Sequence, residues 1–284
     1  MKKITPLFLT ILFSISLLAN VPNSEKNILI KLYQSTNGNQ WKVKWDLKAP
    51  VSTWYGVKIQ NDNVVGIDLS NNNLTGTLPN EITDLKSLEE LNLFKNTISG
   101  TIPKEIGKLK NLKELNLSFN KLSGKIPTSI CEIQHLNSLM LFMNTLSGEI
   151  PSQIGNLKDL EVVSVFNNEL TGELPASLYQ LKNLKELMLS SNKLSGKISW
   201  NIENLTVLEN LSLFDNKMNG HIPYNIMKIK NLKTANLSYN LFSGTVPKAL
   251  AEKEDFNLTM INESGSKFKL EVTNNSSGII AADE

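Results

Sequence analysis

The chain has 284 residues, 40% hydrophobic and 20% charged, ordinary values that exclude a disordered or collagen-like polymer. Its 29 basic residues are all lysine and face 27 acidic ones, so it lacks both the electrostatic footprint of a nucleic-acid binder and the arginine fork used for phosphates. One cysteine and two histidines leave no internal disulfide and little material for a catalytic or metal site.

At the start, Lys2 and Lys3 precede an apolar run over residues 4–19, broken only by Thr5, Pro6, Thr10, Ser14 and Ser16. The pattern predicts a secretory signal peptide over residues 1–19, cleaved near Ala19, because the run is short for a membrane span of about 20 apolar residues. The remaining 27 lysines and 27 acids then cancel. The product is expected to be secreted, or periplasmic or at the cell surface, without a membrane span.

Residues 20–63 form a separate block. Ser24 is placed to cap a helix with Ile28, Leu29, Leu32 and Tyr33 on its apolar face, ended by Asn37 and Gly38. Trp41, Trp45 and Trp54 follow. Large aromatics are expected where the open end of a repeat core must be closed against water, and a sugar-binding platform is the alternative use for them.

From Val64 the sequence repeats. Asn72 is followed at intervals of 24 by Asn96, Asn120, Asn144, Asn168, Asn192, Asn216 and Asn240, and Gly76 by an equally unbroken glycine column ending at Gly244. The proline column from Pro79 to Pro247 fails once, at Ser199 in the sixth coil. A fixed period with leucines at strand spacing, such as Leu91 and Leu93, marks a solenoid whose units bury their apolar faces only by stacking. Eight coils therefore run over 64–251. Each asparagine is expected to bond backbone groups inside the core, each glycine to supply a free φ at a tight turn, and each proline to sit where no donor is needed. Proline at position 199 is expected to be tolerated, with a gain of about 0.4 to 1 kcal/mol from a more restricted unfolded chain.

Over residues 88–154 the pattern LxxLxxLxLxxNxLSGxIPxxIGxL, which 90–106 and 114–130 match almost word for word, resembles the plant-specific type of leucine-rich repeat, and Trp54-Tyr55-Gly56-Val57 resembles the Trp-x-Gly-Val of that family's N-terminal cap. The resemblance implies an α/β horseshoe with a concave parallel sheet, a second short strand near Leu-x-Gly and short 3₁₀ or irregular convex segments. Plant members usually pair cysteines in both caps, where this chain has Val51 and Ile59, and no transmembrane helix or kinase domain follows the repeats. The chain is therefore read as most like the secreted bacterial members of the family.

Beyond Ala251 the pattern fails, with Lys253, Asp255, Ser264 and Gly265 at core or ladder positions. Residues 252–284 are read as a C-terminal cap and mobile tail. Phe256, Leu258, Met260 and Ile261, then Phe268, Leu270 and Val272, alternate like strands that cover the last coil, and the tail begins at Asn274.

No Gly-rich phosphate loop, HExxH or GxSxG occurs, and His135, His221 and Cys131 fall in surface or packing columns, so no enzyme, cofactor or metal is predicted. Function is assigned to outward strand positions. There Phe94, Phe142, Phe166 and Phe214 alternate with serines after the second strand leucine, Met140 and Met188 lie between the leucines, and Phe119, Met143 and Tyr239 lie beside them. An apolar row of this kind marks a partner surface, for a protein first and a polysaccharide second. Packing of each ring over its smaller neighbour is the other explanation. Trp200 and Tyr224, in successive coils beside Ser199, form a second candidate patch. The competing function is a structural or surface-coating repeat protein that meets cell-wall glycan or ice.

Overall fold

A computed structural model describes residues 21–252, 259–262 and 264–273. The expected signal peptide with Ala19, and the expected contributions of Phe256, Leu258 and the tail from Asn274, lie outside these residues.

The coils stack in register. Three-residue strands, from Glu90–Asn92 through Thr234–Asn236, pair in parallel at offsets of 24, so that Leu91 aligns with Leu115 and Leu115 with Leu139. With Val57–Gln60 and Asn63–Asp68, an antiparallel pair at the N-terminal edge, they make one nine-stranded sheet. Strand side chains alternate between the two faces, which sends the leucines inward and their neighbours out. Leu115, Leu117, Leu122, Leu112 and Ile130 of the third coil are all fully buried. The chain returns on the other flank through 3₁₀ turns such as Asn80–Asp84 and Thr128–Glu132. These are wider than strands stacked about 4.8 Å apart, so the stack curves with the sheet inside.

Two devices turn each coil. The amide of Asn168 donates to Leu141 O and Val165 O, both at 3.0 Å, and accepts from Leu146 N at 3.0 Å. It therefore satisfies backbone groups of its own coil and the preceding one. The same set recurs along the column, whose members are buried except the half-buried Asn120. Gly76 to Gly244 all hold φ between 76° and 84°, a region that a Cβ strongly disfavours. Thr75–Thr77, Thr97–Thr101, Lys121–Lys125, Thr145–Glu149 and Glu169–Thr171 form a second parallel sheet beside these glycines.

The N-terminal helix spans Asn23–Ser35 and has Pro22, not Ser24, at its cap. Ser24 is inside the first turn, two residues past Pro22, whose fixed φ of −53° already suits the entry into the helix. Leu29, Leu32 and Tyr33 are buried as expected, with Glu25 beside them. The Glu25 carboxylate accepts from Val64 N at 2.7 Å and so ties the helix to the first coil. Trp45 stacks on Trp54 at 4.8 Å and meets Trp41 edge-on at 4.9 Å. Their indole N–H groups donate to the carbonyls of Thr36, Tyr55 and Asp46. All three are at most 4% exposed, so no ring face is open to a sugar, and the platform alternative is set aside.

At the other end the hairpin of Thr259–Ile261 and Lys267–Lys269 continues the stack, with Tyr239 N donating to Thr259 O and Ile261 N to Asn240 O. Met260 and Leu270 are buried there, whereas Phe268 and Val272 are exposed. The expected cover is therefore narrower than the strand alternation implied, because among the described residues Lys267–Lys269 pairs with one strand only and presents every residue to solvent.

Candidate functional site

The phenylalanines after the second strand leucine are half-buried on the concave sheet. Phe142 and Phe166, in adjacent coils, stack with centroids 4.5 Å apart and planes 8° from parallel. Phe94 and Phe142 approach to 6.1 Å although a whole coil separates them, because that coil carries the buried Ser118 between the rings. Packing over a smaller neighbour thus describes Phe94 and Phe142 and does not describe Phe142 and Phe166.

The parallel register sets Met140 beside Ser164 and Ser164 beside Met188 on the same face. Val162, two residues before Ser164, extends the apolar area between them. It was missed in the sequence because its column otherwise holds Gly66, Glu90, Glu114, Ser138 and Glu186. Phe214 is not part of this cluster. It lies 5.2 Å from Tyr239, whose ring also carries Lys267 at 4.8 Å, and Ser190, Ser191 and Ser212 separate the two groups. The expected row is therefore two patches, one over coils two to six and one over coils seven and eight.

Phe119 is 41% exposed and Met143 36%, and their backbone sets them apart. Asn71, Lys95, Phe119, Met143, Asn167, Ser191, Asp215 and Tyr239 all have φ between 50° and 59°. This is left-handed backbone, which asparagine and aspartate tolerate and bulky side chains disfavour. The conformation is enforced by the ladder: Phe119 N donates to Phe142 O at 2.8 Å, and Phe119 O accepts from Asn96 N at 3.2 Å. Phe119 and Met143 thus combine a disfavoured φ with an exposed apolar side chain. The sequence held a faint sign of the φ, in Asn71, Asn167 and Asp215 of the same column.

Charge is laid out in rows. Lys113 pairs with Glu89 at 2.7 Å, Lys185 with Glu161 at 2.7 Å and Lys233 with Glu209 at 2.5 Å, each across one coil. In the next row Glu90 is bonded to Lys58 at 2.5 Å, which raises the lysine's pKa. Glu114 and Glu186, in that same row, form no ion pair among the described residues.

The second candidate pair lies elsewhere. Trp200 and Tyr224 open consecutive 3₁₀ turns, Trp200–Asn204 and Tyr224–Lys228, on the flank away from the sheet. Trp200 is 64% exposed, and Asn225 donates to its carbonyl at 3.1 Å. No ring contact joins Trp200 to Tyr224 among the described residues. Ser199 just before them has a function the repeat pattern hid: its N–H donates to the hydroxyl of the buried Tyr179 at 3.2 Å. Burial pushes the Tyr179 phenol up, and the Ser199 bond opposes that shift. Burial likewise pushes the Cys131 thiol up to about 11, so at neutral pH it is an unreactive packed group. His135 is exposed near Asp159, and His221 is exposed as well.

Three leucine-rich repeat family descriptions match, a single repeat over residues 63–85, a two-copy unit over 86–130 and a leucine-rich repeat region over 126–253. A 60-residue stretch is 43% identical to a probable leucine-rich repeat receptor-like protein kinase of Arabidopsis thaliana, covering 19% of this chain and 6% of that one. The solved PEPR1–AtPEP1 complex superposes with a TM-score of 0.73 at 30% identity, over 85% of this chain and 38% of that chain. The plant peptide hormone receptor RGFR1 in complex with RGF2 follows at 0.65 and 34%, over 73% and 32%. A plant ice-binding protein shares the fold at 0.54 and 23%, over 81% and 90%. The chain thus spans about a third of the length of the two solved receptor chains. The expected nearness to secreted bacterial members draws no support from these matches, whose stated sources are plants. Repeat matches across residues 63–253, laid on a sheet that advances one strand per 24 residues, make this chain a leucine-rich repeat protein.

Proposed function

We propose that the chain is an exported, non-catalytic binding protein that takes an extended segment of another protein across the concave sheet of coils two to six. The observation that carries this is the pairing of disfavoured backbone with exposure at Phe119 and Met143, beside the stacked Phe142 and Phe166. Residues that cost stability and bury little in the free chain are accounted for if a partner covers them. The RGFR1 complex with RGF2 supports a peptide as the form of that partner, and the apolar run over residues 4–19 supports export. A polysaccharide on the same concave face is the second reading, and the buried cap tryptophans add no platform to it. The ice or surface-coating alternative needs a regular flat ladder. The column of Thr77 and Thr101 continues instead as Lys125, Glu149, Glu173, Lys197 and His221.

The test is a pull-down from the medium around the producing cell with residues 20–284, with Phe142→Ser plus Phe166→Ser, and with Trp200→Ala plus Tyr224→Ala, all three checked for native circular dichroism. A partner held by the first and third baits and lost from the second is expected, since central aromatic anchors often contribute about 2 kcal/mol or more each. Retention by the Phe variant with loss from the Trp and Tyr variant would move the site to the convex flank.

A further inference from the structure

We propose that the segment bound on this face is basic, an extended peptide in which large apolar side chains alternate with lysine or arginine; this rests on the binding function above and adds the chemistry of the ligand. The argument starts from two carboxylates. Glu114 and Glu186 project from the same face as the apolar patch, in the row that also holds Ser138 and Val162. Register places Glu186 directly beside Val162 and two residues before Met188, so it stands on the margin of the patch. Glu114 stands beside Ser138, which is two residues before Met140.

The neighbouring row shows how this fold treats charge when no ligand is involved. Glu89, Glu161 and Glu209 are each matched by a lysine one coil later, at 2.7, 2.7 and 2.5 Å, and Glu90 is matched by Lys58. Glu114 and Glu186 have no such partner among the described residues. The register sets Lys58, Gly66, Glu90, Glu114, Ser138, Val162 and Glu186 side by side, and Lys58 is bonded to Glu90 and feels Glu114 only through space; three carboxylates against one lysine leave this row acidic.

Any chain that covers Val162, Met140 and Met188 closely also takes water away from Glu186 and Glu114, which the register sets beside them. A carboxylate stripped of water without a partner is costly, and a cation with hydrogen-bonding protons is what restores it. An acidic segment would add repulsion to that cost, and a purely apolar one would leave it uncompensated. The two carboxylates are three coils apart, about 14 Å at strand spacing, a distance that about four or five extended residues span. A peptide with cations four residues apart and apolar side chains between them matches both the charges and the apolar side chains of Val162, Met140 and Met188.

The probes are three synthetic 12-residue peptides with the same phenylalanine and leucine positions, whose intervening residues are all lysine, all glutamate or all serine. Each is labelled with fluorescein and titrated with residues 20–284 at 50 and 300 mM salt. The lysine peptide is expected to bind at least tenfold more tightly than the serine peptide, with the margin shrinking at high salt, and the glutamate peptide more weakly than either. In Glu114→Gln plus Glu186→Gln, which preserves side-chain volume, the lysine preference is expected to vanish while the serine peptide binds as before. Equal binding of the lysine and serine peptides, or a lysine preference that survives in the glutamine variant, would overturn the charge assignment. If those peptides are still lost from Phe142→Ser plus Phe166→Ser, the binding face stands without it. Binding of none of the three overturns the assignment too, and a pull-down partner insensitive to the Phe changes then removes the face itself.

Discussion

Phe119 and Met143 sit one coil apart with φ of 57° and 55°, and they let backbone cost be separated from function. Left-handed backbone costs a bulky residue about 1 kcal/mol more than it costs asparagine, which Asn71 and Asn167 already supply in this column. Met143→Asn is therefore expected to raise stability by about 0.5 to 1 kcal/mol in urea unfolding. Phe119→Asn is expected to gain less, because it gives up the edge contact with Phe94 at 6.1 Å, itself worth about 0.5 to 1.5 kcal/mol in such pairs. Both should weaken partner capture. A loss of stability in Met143→Asn would mean that the thioether is held by packing, and the argument from strain to function would fail with it.

At the scale of an element, the sixth coil explains its own irregularity. Ser199 has φ −66° and ψ 148°, close to Pro175 at −65° and 141°, so proline would fit the backbone there. What it would remove is the N–H that meets Tyr179 and the hydroxyl that accepts from Asn201 at 3.2 Å. Against the gain expected for a more restricted unfolded chain, the lost bonds weigh about 1 kcal/mol each. Ser199→Pro is accordingly expected to destabilise by about 1 kcal/mol, and to be close to neutral in a Tyr179→Phe background; a stabilised single variant would restore the expectation drawn from the repeat pattern alone. The episode marks what was legible in the sequence. The coil boundaries, the inward leucines and the asparagine and glycine columns could be read because they depend on period alone, and the period never slips. The Tyr179 contact could not, because it joins neighbours in space that lie 20 residues apart in columns with no shared chemistry. Nor could the break in the apolar row, which depends on Ser190 and Ser212 closing on each other at 2.5 Å. The helix starts two residues earlier than Ser24 suggests because Ser24 and Pro22 both carry start signals, and only packing through Glu25 decides between them.

At the scale of the whole molecule, stability in a one-dimensional stack is a sum of coils and the interfaces between them, and the indoles report on one end of it. Trp41, Trp45 and Trp54 are buried in the cap and Trp200 is exposed in the sixth coil, so a shift in tryptophan emission follows the cap while far-ultraviolet circular dichroism follows the entire chain. In the unaltered protein the cap and the coils share one core, and the two thermal transitions are expected to coincide. Asn168→Ala removes two bonds that join coils four and five and one within coil five, and leaves buried backbone groups unpaired, at about 1 to 3 kcal/mol. The half beyond it should then melt first, with circular dichroism falling before the indole emission shifts. Asn72→Ala acts at the other interface, because its amide accepts from Val43 N at 2.7 Å and donates to Val43 O at 3.1 Å. There the order should invert, with the emission shift leading. Coincident transitions in both variants, at midpoints lowered equally, would mean that coupling between coils exceeds the cost of one lost asparagine and that the solenoid unfolds as a single unit from cap to hairpin.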